Sequence, residues 1–489
     1  MKRHHKKRTG ILLLLILAQS ISSCDSDNGG TSADDGISAD SGTGTTPTAE
    51  TAVTSADVTT EDSGTFALPD TLDYGGTTFT VLAVDEDVPY TYFEDYDSET
   101  GDVMNDAIFS RNRTVEEYLN IRFETVNCSH GSEVSNVQKD AASGDGVYDL
   151  ISPHILSQIP ALVTSGLLTD LGELEYVDFT QPWWNGSFVE NMQLKGMTYY
   201  ASGNIIAPNI RVIVFNKALV ENYDMSDPYE AVSNGTWTLD TMAKYTKGFY
   251  NDINGNGEMD ADDLYAFSDL SNSGLATSFI HGSGLLFVES AGDTYSLTLG
   301  TETEKIHGIM EKLYDNIYLE GNTAITNTEF ANGTVLFGTQ VLLKLQLLRD
   351  SEVSFGIIPF PKYDETQDAY YSSAWNGLLC VPVSATDLSM SGAVMEALAY
   401  FSTDTLVPAY YEKLLGGKFA RDDTSVKMLD LIFDSVVYDI GLCFDGFIGN
   451  YALPGNLLNQ GSTDIASEFA KKEATFTGHY KELFASVPG

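Results

Sequence analysis

Residues Asp252-Ile-Asn254-Gly-Asn256-Gly257-Glu258-Met-Asp260-Ala-Asp262-Asp263 have the spacing of an oxygen-rich metal loop, D-x-N-x-N-G-x-x-D-x-x-D. Side-chain oxygens at positions 1, 3 and 5 converge when the chain turns tightly, and Gly257 at position 6 permits the turn. Glu258 would offer its carbonyl, Asp260 would act directly or through water, and Asp263 would close the sphere. The expected occupant is calcium in a structural role, because one loop without a paired second loop makes a brace rather than a switch. Position 12 is Asp where Glu is usual, and a solvated acidic loop is the competing reading.

A second stretch with chemistry is Ser372-Ser373-Ala-Trp375-Asn376-Gly377. Its indole is flanked too polarly for ordinary core, so Trp375 and Asn376 are candidate ligand contacts. No H-E-x-x-H, G-x-S-x-G, G-x-G-x-x-G, Walker A or C-x-x-C pattern follows the leader. Five histidines remain there, at 130, 154, 281, 307 and 479, none at metal-ligand spacing from another. Acids are abundant enough that a glycosidase carboxylate pair stays open on residue types alone.

The start of the chain carries a different chemistry. Lys2, Arg3, Lys6, Lys7 and Arg8 precede a short apolar run, Ile11–Ala18, too short to span a bilayer, so residues 1–23 read as a signal peptide. It ends at Ile21-Ser22-Ser23-Cys24, the lipobox pattern, which makes Cys24 the expected lipidated N-terminus. Residues 24–65 follow as a Ser/Thr/Asp/Gly tether that cannot bury enough surface to offset its ordering entropy. As a coil it would reach roughly 35 Å.

Charge narrows the partners. The chain has 26 basic and 70 acidic residues, and five of the basic ones and none of the acids precede Cys24. The remainder therefore carries −49, a field that repels nucleic acid and anionic headgroups. Cys128, Cys380 and Cys443 read as buried small apolar residues, with a single bridge as the alternative.

The elements that must position these groups follow a βαβα order. Phe79–Val84 is an apolar strand; Met104, Ala107, Ile108, Val115, Tyr118 and Leu119 share a helix face; Ile121–Thr125 alternates as a strand. Val147–Ile151 is a strand, Ser152–His154 a loop, and Ile155, Ile159, Leu162 and Val163 a helix stopped by Gly166. Such a series predicts a mostly parallel sheet with helices on both sides. Ligands there sit beyond the carboxyl ends of the strands, which nominates His154.

Several phrases, in order, resemble one family: the extracellular solute-binding proteins that feed sugar ABC importers, of the maltose-binding kind. They are Gly144-Asp-Gly…Ser165-Gly-Leu-Leu168, Pro182-Trp183-Trp184-Asn185, Arg211–Asn216, Thr236-Trp237, Phe330–Gly338 and Val353–Pro361. The resemblance runs from about 76 to 485. It implies an α/β fold of two lobes, type II, with two mostly parallel sheets joined by a multi-strand hinge. The implied first lobe is 66–208 and 343–403, and the second is 209–342 and 404–489. Trp184 matches a core position. Asn209 matches a position facing the cleft, where the family often carries an acid. Tyr451 with Asn450 lies where the family often places an aromatic.

The expectation for function is therefore a monomeric receptor, not an enzyme. It would be anchored at Cys24 on the outer face of a bacterial membrane and would pass a carbohydrate, an oligosaccharide above all, to ABC permease subunits. A surface polysaccharide-degrading enzyme and a glycan-adhesion lipoprotein are the alternatives.

Overall fold

The computed structural model describes residues 64–84, 93, 98–157, 159–260, 262–268, 274–291, 294–318, 330–348, 351–415, 423–445 and 451–487. The leader, Cys24, most of the tether and Asn450 lie outside them.

The first sheet is built from β1 (Thr77–Val84), β2 (Ile121–Cys128) and β3 (Leu150–Ser152), all parallel, with β1 in the centre. Strand alternation sorts its side chains. Phe79, Val81 and Ala83 join one core with Trp183, Trp184 and Leu398, while Leu82 turns to the other face against Ile108, Val137 and Ile151. Helix α1 (Val103–Leu119) starts at Asp102, whose side chain accepts from the Met104 and Asn105 N–H groups. Helix α2 (Glu133–Ser143) leads into β3. Helix α3 is confined to Ile159–Thr164, shorter than the apolar spacing predicts. The reason is a competing partner: the Ile155 N–H donates to the Asn376 carbonyl at 2.9 Å, which pulls residues 154–157 into a turn.

The second sheet has the order β5 (Tyr265–Ser268), β6 (Val335–Val341), β4 (Arg211–Asn216), β7 (Phe355–Ile358). Strands β5 and β6 are parallel, but β4 runs antiparallel to both β6 and β7, since it enters from the first lobe. Every residue of β4 is buried: the apolar run Val212–Phe215 requires it, and the polar ends Arg211 and Asn216 are buried with it. Gly356 pairs with Phe215, and a Cβ there would stand 2.3 Å from the ring. Helix α4 (Leu239–Thr246), capped by Thr238, and α5 (Leu275–Gly282) flank this sheet.

The crossings fall at different places from those expected. The pairing of β7 with β4 keeps residues 355–358 with the second sheet, so a first-lobe return at 343 is too early. The chain instead returns between Ile358 and Gly377, through β8 (Ser372–Ser373). Residues 377–380 then extend the first sheet through the bridges His154↔Gly377 and Ile151↔Cys380. Helix α6 (Leu388–Asp404) and helix α7 (Leu406–Leu415) both pack on α1, so the departure expected at 404 also comes later. The strand β9 (Val436–Val437) pairs with β8, and α8 (Ala452–Asn459) and α9 (Ile465–Ser486) complete the second lobe. Residues 60–489 form one compact unit. Cys128, Cys380 and Cys443 are free, and burial pushes the Cys128 thiol up to about 11. No helix among the described residues is long and apolar enough to cross a membrane.

Candidate functional site

The nominated residues His154, Asn209, Trp375, Asn376 and Tyr451 come together where the two sheets adjoin. Strand ends do the positioning. His154 follows β3, Asn209 precedes β4, Trp375 and Asn376 follow β8, and Tyr451 opens α8. The Trp375 N–H donates to the Asn209 carbonyl at 2.9 Å, and the Asn209 N–H to Asn376 Oδ1 at 2.8 Å. His154 Nε2 meets the Trp375 carbonyl at 3.1 Å. The Tyr451 ring lies edge-on to the indole, 6.0 Å between centroids. Asn209 is 2% exposed, and its Oδ1 is buried with no hydrogen-bond partner.

Trp375 itself is only 6% exposed. The polarity of its neighbours reflects a buried hydrogen-bond network rather than contact with solvent, since Ser372, Ser373 and Asn376 are all buried too. The Arg211 guanidinium sits 4.5 Å from the indole centroid, on its face. Gly274 is required here: a Cβ would stand 2.8 Å from the indole and 2.9 Å from the guanidinium. Arg211 was not among the sequence candidates. The signal was present, since period-2 spacing puts it on the same side of the crossing strand as Asn209.

Behind the indole runs a chain that the sequence did not reveal. Trp375 Nε1–H donates to Ser373 Oγ at 2.8 Å, and Ser373 Oγ lies 2.8 Å from His281 Nδ1. His281 Nε2 lies 2.9 Å from Asp439 Oδ2, with both side chains fully buried. The Asp439 carboxylate can only accept, so His281 Nε2 carries the hydrogen; in the neutral ring Nδ1 then accepts from the Ser373 hydroxyl, which in turn accepts from the indole N–H. The residue types are those of a hydrolytic triad, but the arrangement is not. Ser373 Oγ accepts from the indole N–H and is bonded to His281 on its other side, and among the described residues no oxyanion-binding donors are gathered beside it, so it is a link in a structural chain and not a nucleophile.

His154 has a defined tautomer as well. Its Nδ1 accepts from the Leu156 N–H at 3.2 Å, so Nε2 carries the hydrogen donated to Trp375. Burial, with the neighbouring His130 and Arg211 charges adding to it, lowers its pKa to about 4. The unfolded chain therefore takes up this proton first, near pH 6.5, and stability falls as pH drops from there toward 4. On acidification from pH 7 to 4, the native protein is expected to lose about 2–3 kcal/mol more than His154→Gln. Denaturant unfolding at both pH values checks this, and equal losses would remove His154 as the cause.

On the far side of Asn376 lies a cavity of about 420 Å³. Aromatic walls from Trp184, Tyr410, Tyr411 and Tyr438 meet the side chains of Asn185 and Asn204 there. Trp184 is at the same time core, as expected: it is 4% exposed, and its Nε1–H donates to Glu396 at 2.8 Å. The metal-loop residues Asp252, Asn254, Asn256, Glu258, Asp260 and Asp263 lie apart from both places, between α4 and β5.

Comparison with known proteins bears on the fold and on its class. An ABC substrate-binding protein from Listeria monocytogenes, solved with cycloalternan, superposes with a TM-score of 0.54 at 11% identity, over 82% of this chain and 99% of that one. The galacto-N-biose-/lacto-N-biose I-binding protein of an ABC transporter from Bifidobacterium longum gives 0.55 at 14% identity, over 84% and 98%. The cyclic α-maltosyl-1,6-maltose binding protein from Arthrobacter globiformis gives 0.54 at 14%, over 84% and 99%. At these identities the likeness establishes the two-lobed fold. No curated protein matches the chain in sequence. The family and these neighbours are binding proteins rather than enzymes. Residues 114–413, more than half of the chain, match the family described as bacterial extracellular solute-binding protein, and the chain belongs to it.

Proposed function

We propose that this protein captures a carbohydrate, an oligosaccharide of a few units, and delivers it to the permease subunits of an ABC importer. It would act as a monomer, held by a lipid on Cys24 at the outer face of the bacterial membrane. The observation that carries the ligand class is the buried, unpartnered Asn209 Oδ1 beside an indole whose other neighbours are Arg211, His154 and Tyr451. An acceptor for a hydroxyl, a cation and a ring face together suit a sugar, which presents hydroxyl edges and CH faces. The neighbours' bound sugars support the same class.

The aromatic cavity beyond Asn376 is a second place where a sugar ring would fit, since its rings and amides offer the same chemistry. A panel of oligosaccharides, read by thermal shift and by product analysis, tests the function itself. Stabilisation of the mature protein by one class of glycan without turnover is expected. Turnover, or no stabilisation by any glycan, would sink the receptor reading. The anchor is tested separately: Cys24→Ala is expected to release the mature protein from membranes or to leave an uncleaved precursor, and unchanged retention with normal processing would remove it.

A further inference from the structure

We infer that residues 252–263 form a calcium site that ties the approach of β5 to α4 in the second lobe. Oxygen ligands are available from Asp252, Asn254, Asn256, Asp260, Asp263 and the Glu258 carbonyl. The decisive group is Asp263. It is completely buried. Its Oδ2 accepts from the Tyr250 hydroxyl at 2.8 Å and the Asp260 N–H at 3.2 Å, which holds the carboxylate against the loop. Its Oδ1 is buried and meets no donor. A desolvated carboxylate oxygen without a partner is costly, and a cation satisfies it.

The rest of the loop is held in turns by its own side chains, and its carboxylates would draw together round the ion on binding. Asp252 accepts from the Gly255 N–H at 2.7 Å and the Gly257 N–H at 2.8 Å, and Gly257 takes a φ of 75° that a side chain would disfavour. Asn254 and Asn256 each place their amide nitrogen on Asp260, within 3.2 Å and 2.7 Å. Among the described residues no three His, Cys, Asp or Glu side chains are gathered as a ready metal cluster. The donor set here is a mixed one of carboxylates, amides and a carbonyl. Such a set, numerous and adaptable, favours calcium over magnesium, which demands a tight octahedron and keeps its waters. The surrounding charge favours any divalent cation.

The consequence is mechanical. The loop is closed at its base by reciprocal backbone bonds between Asn251 and Leu264, at 3.1 and 3.0 Å. Tyr265, the first residue of β5, donates its hydroxyl to the Asp260 carbonyl at 2.8 Å. A cation in the loop therefore stabilises the edge strand of the second sheet.

The test uses the full mature protein with calcium chloride, magnesium chloride and terbium chloride as probes. Calcium at about one hundred times its Kd is expected to raise the melting midpoint by about 3–5 °C, with magnesium far weaker. Terbium is expected to luminesce on tyrosine excitation, because Tyr250 and Tyr265 flank the site. Both responses should vanish in Asp252→Ala with Asp260→Ala. Asp252→Asn, a milder change, should weaken them at least tenfold and serves if the double variant does not fold. No calcium shift and no terbium emission in the native protein would overturn the site. Equal responses in native protein and Asp252→Asn would overturn it too, by placing the cation elsewhere.

Discussion

Replacing Trp375 with alanine is expected to weaken binding of the cognate sugar at least tenfold and to lower stability by about 3–5 kcal/mol. Two effects combine. The indole is almost fully buried, so its removal leaves a cavity bounded by Arg211, Gly274 and Tyr451. It also carries the ring face on which a sugar would stack, worth about 0.5–1.5 kcal/mol beyond buried area. The two are separable. Trp375→Phe keeps a ring under the guanidinium and gives up the Nε1–H bond to Ser373, so most of the stability should return with only part of the affinity. Titration calorimetry on both variants and on Tyr411→Ala decides the location. Loss at Trp375 with Tyr411→Ala unchanged places the sugar at the indole. Unchanged affinity in Trp375→Ala, with loss in Tyr411→Ala, moves the sugar to the aromatic cavity.

The large elements were legible because each satisfies one period. Phe79–Val84, broken only by Thr80, and Val212–Phe215 are apolar runs, and both are buried strands. Asp102 and Thr238 stand before apolar helix faces, and both cap. The failures lie where long-range pairing overrides local pattern. The helix expected from Ile155 starts only at Ile159, because the backbone N–H at 155 is claimed by the Asn376 carbonyl, more than two hundred residues away. The lobe boundaries at 343 and 404 were misplaced because a strand's partner cannot be read from the strand, and β7 finds β4. At the site, Trp375 was legible from its composition, but its burial was not. Serine, tryptophan and asparagine in one stretch look solvated until His281 and Asp439, from distant segments, are known to complete the network.

The hub of that network gives the second large effect. Asp439→Ala is expected to destabilise the protein by about 3–5 kcal/mol, as breaking one side of a buried hydrogen-bonded pair does. Asp439 accepts from His281 Nε2, from the Phe287 N–H at 2.6 Å, from the Gly441 N–H at 2.7 Å and, at 3.4 Å, from the Val288 N–H, and its side chain has no exposure. Truncation leaves these four buried donors without that acceptor, at about 1–3 kcal/mol each before relaxation and entering water reduce the sum. Asp439→Asn keeps the shape but turns an NH₂ toward one set of donors, so it too should be destabilising. Because His281 loses the partner that fixes its tautomer, its Nδ1 no longer holds Ser373, and the indole loses its orientation. Sugar affinity should therefore fall in Asp439→Asn even at temperatures where the variant is fully folded, and His281→Gln, which can accept from Ser373 and donate to Asp439, should retain more of it than His281→Ala. Chemical denaturation gives the stability, and calorimetry below the transition gives the affinity. A loss under about 1 kcal/mol in Asp439→Ala would show that the donors find other partners, and native affinity in a folded Asp439→Asn would show that the chain behind Trp375 supports the fold without aiming the ring.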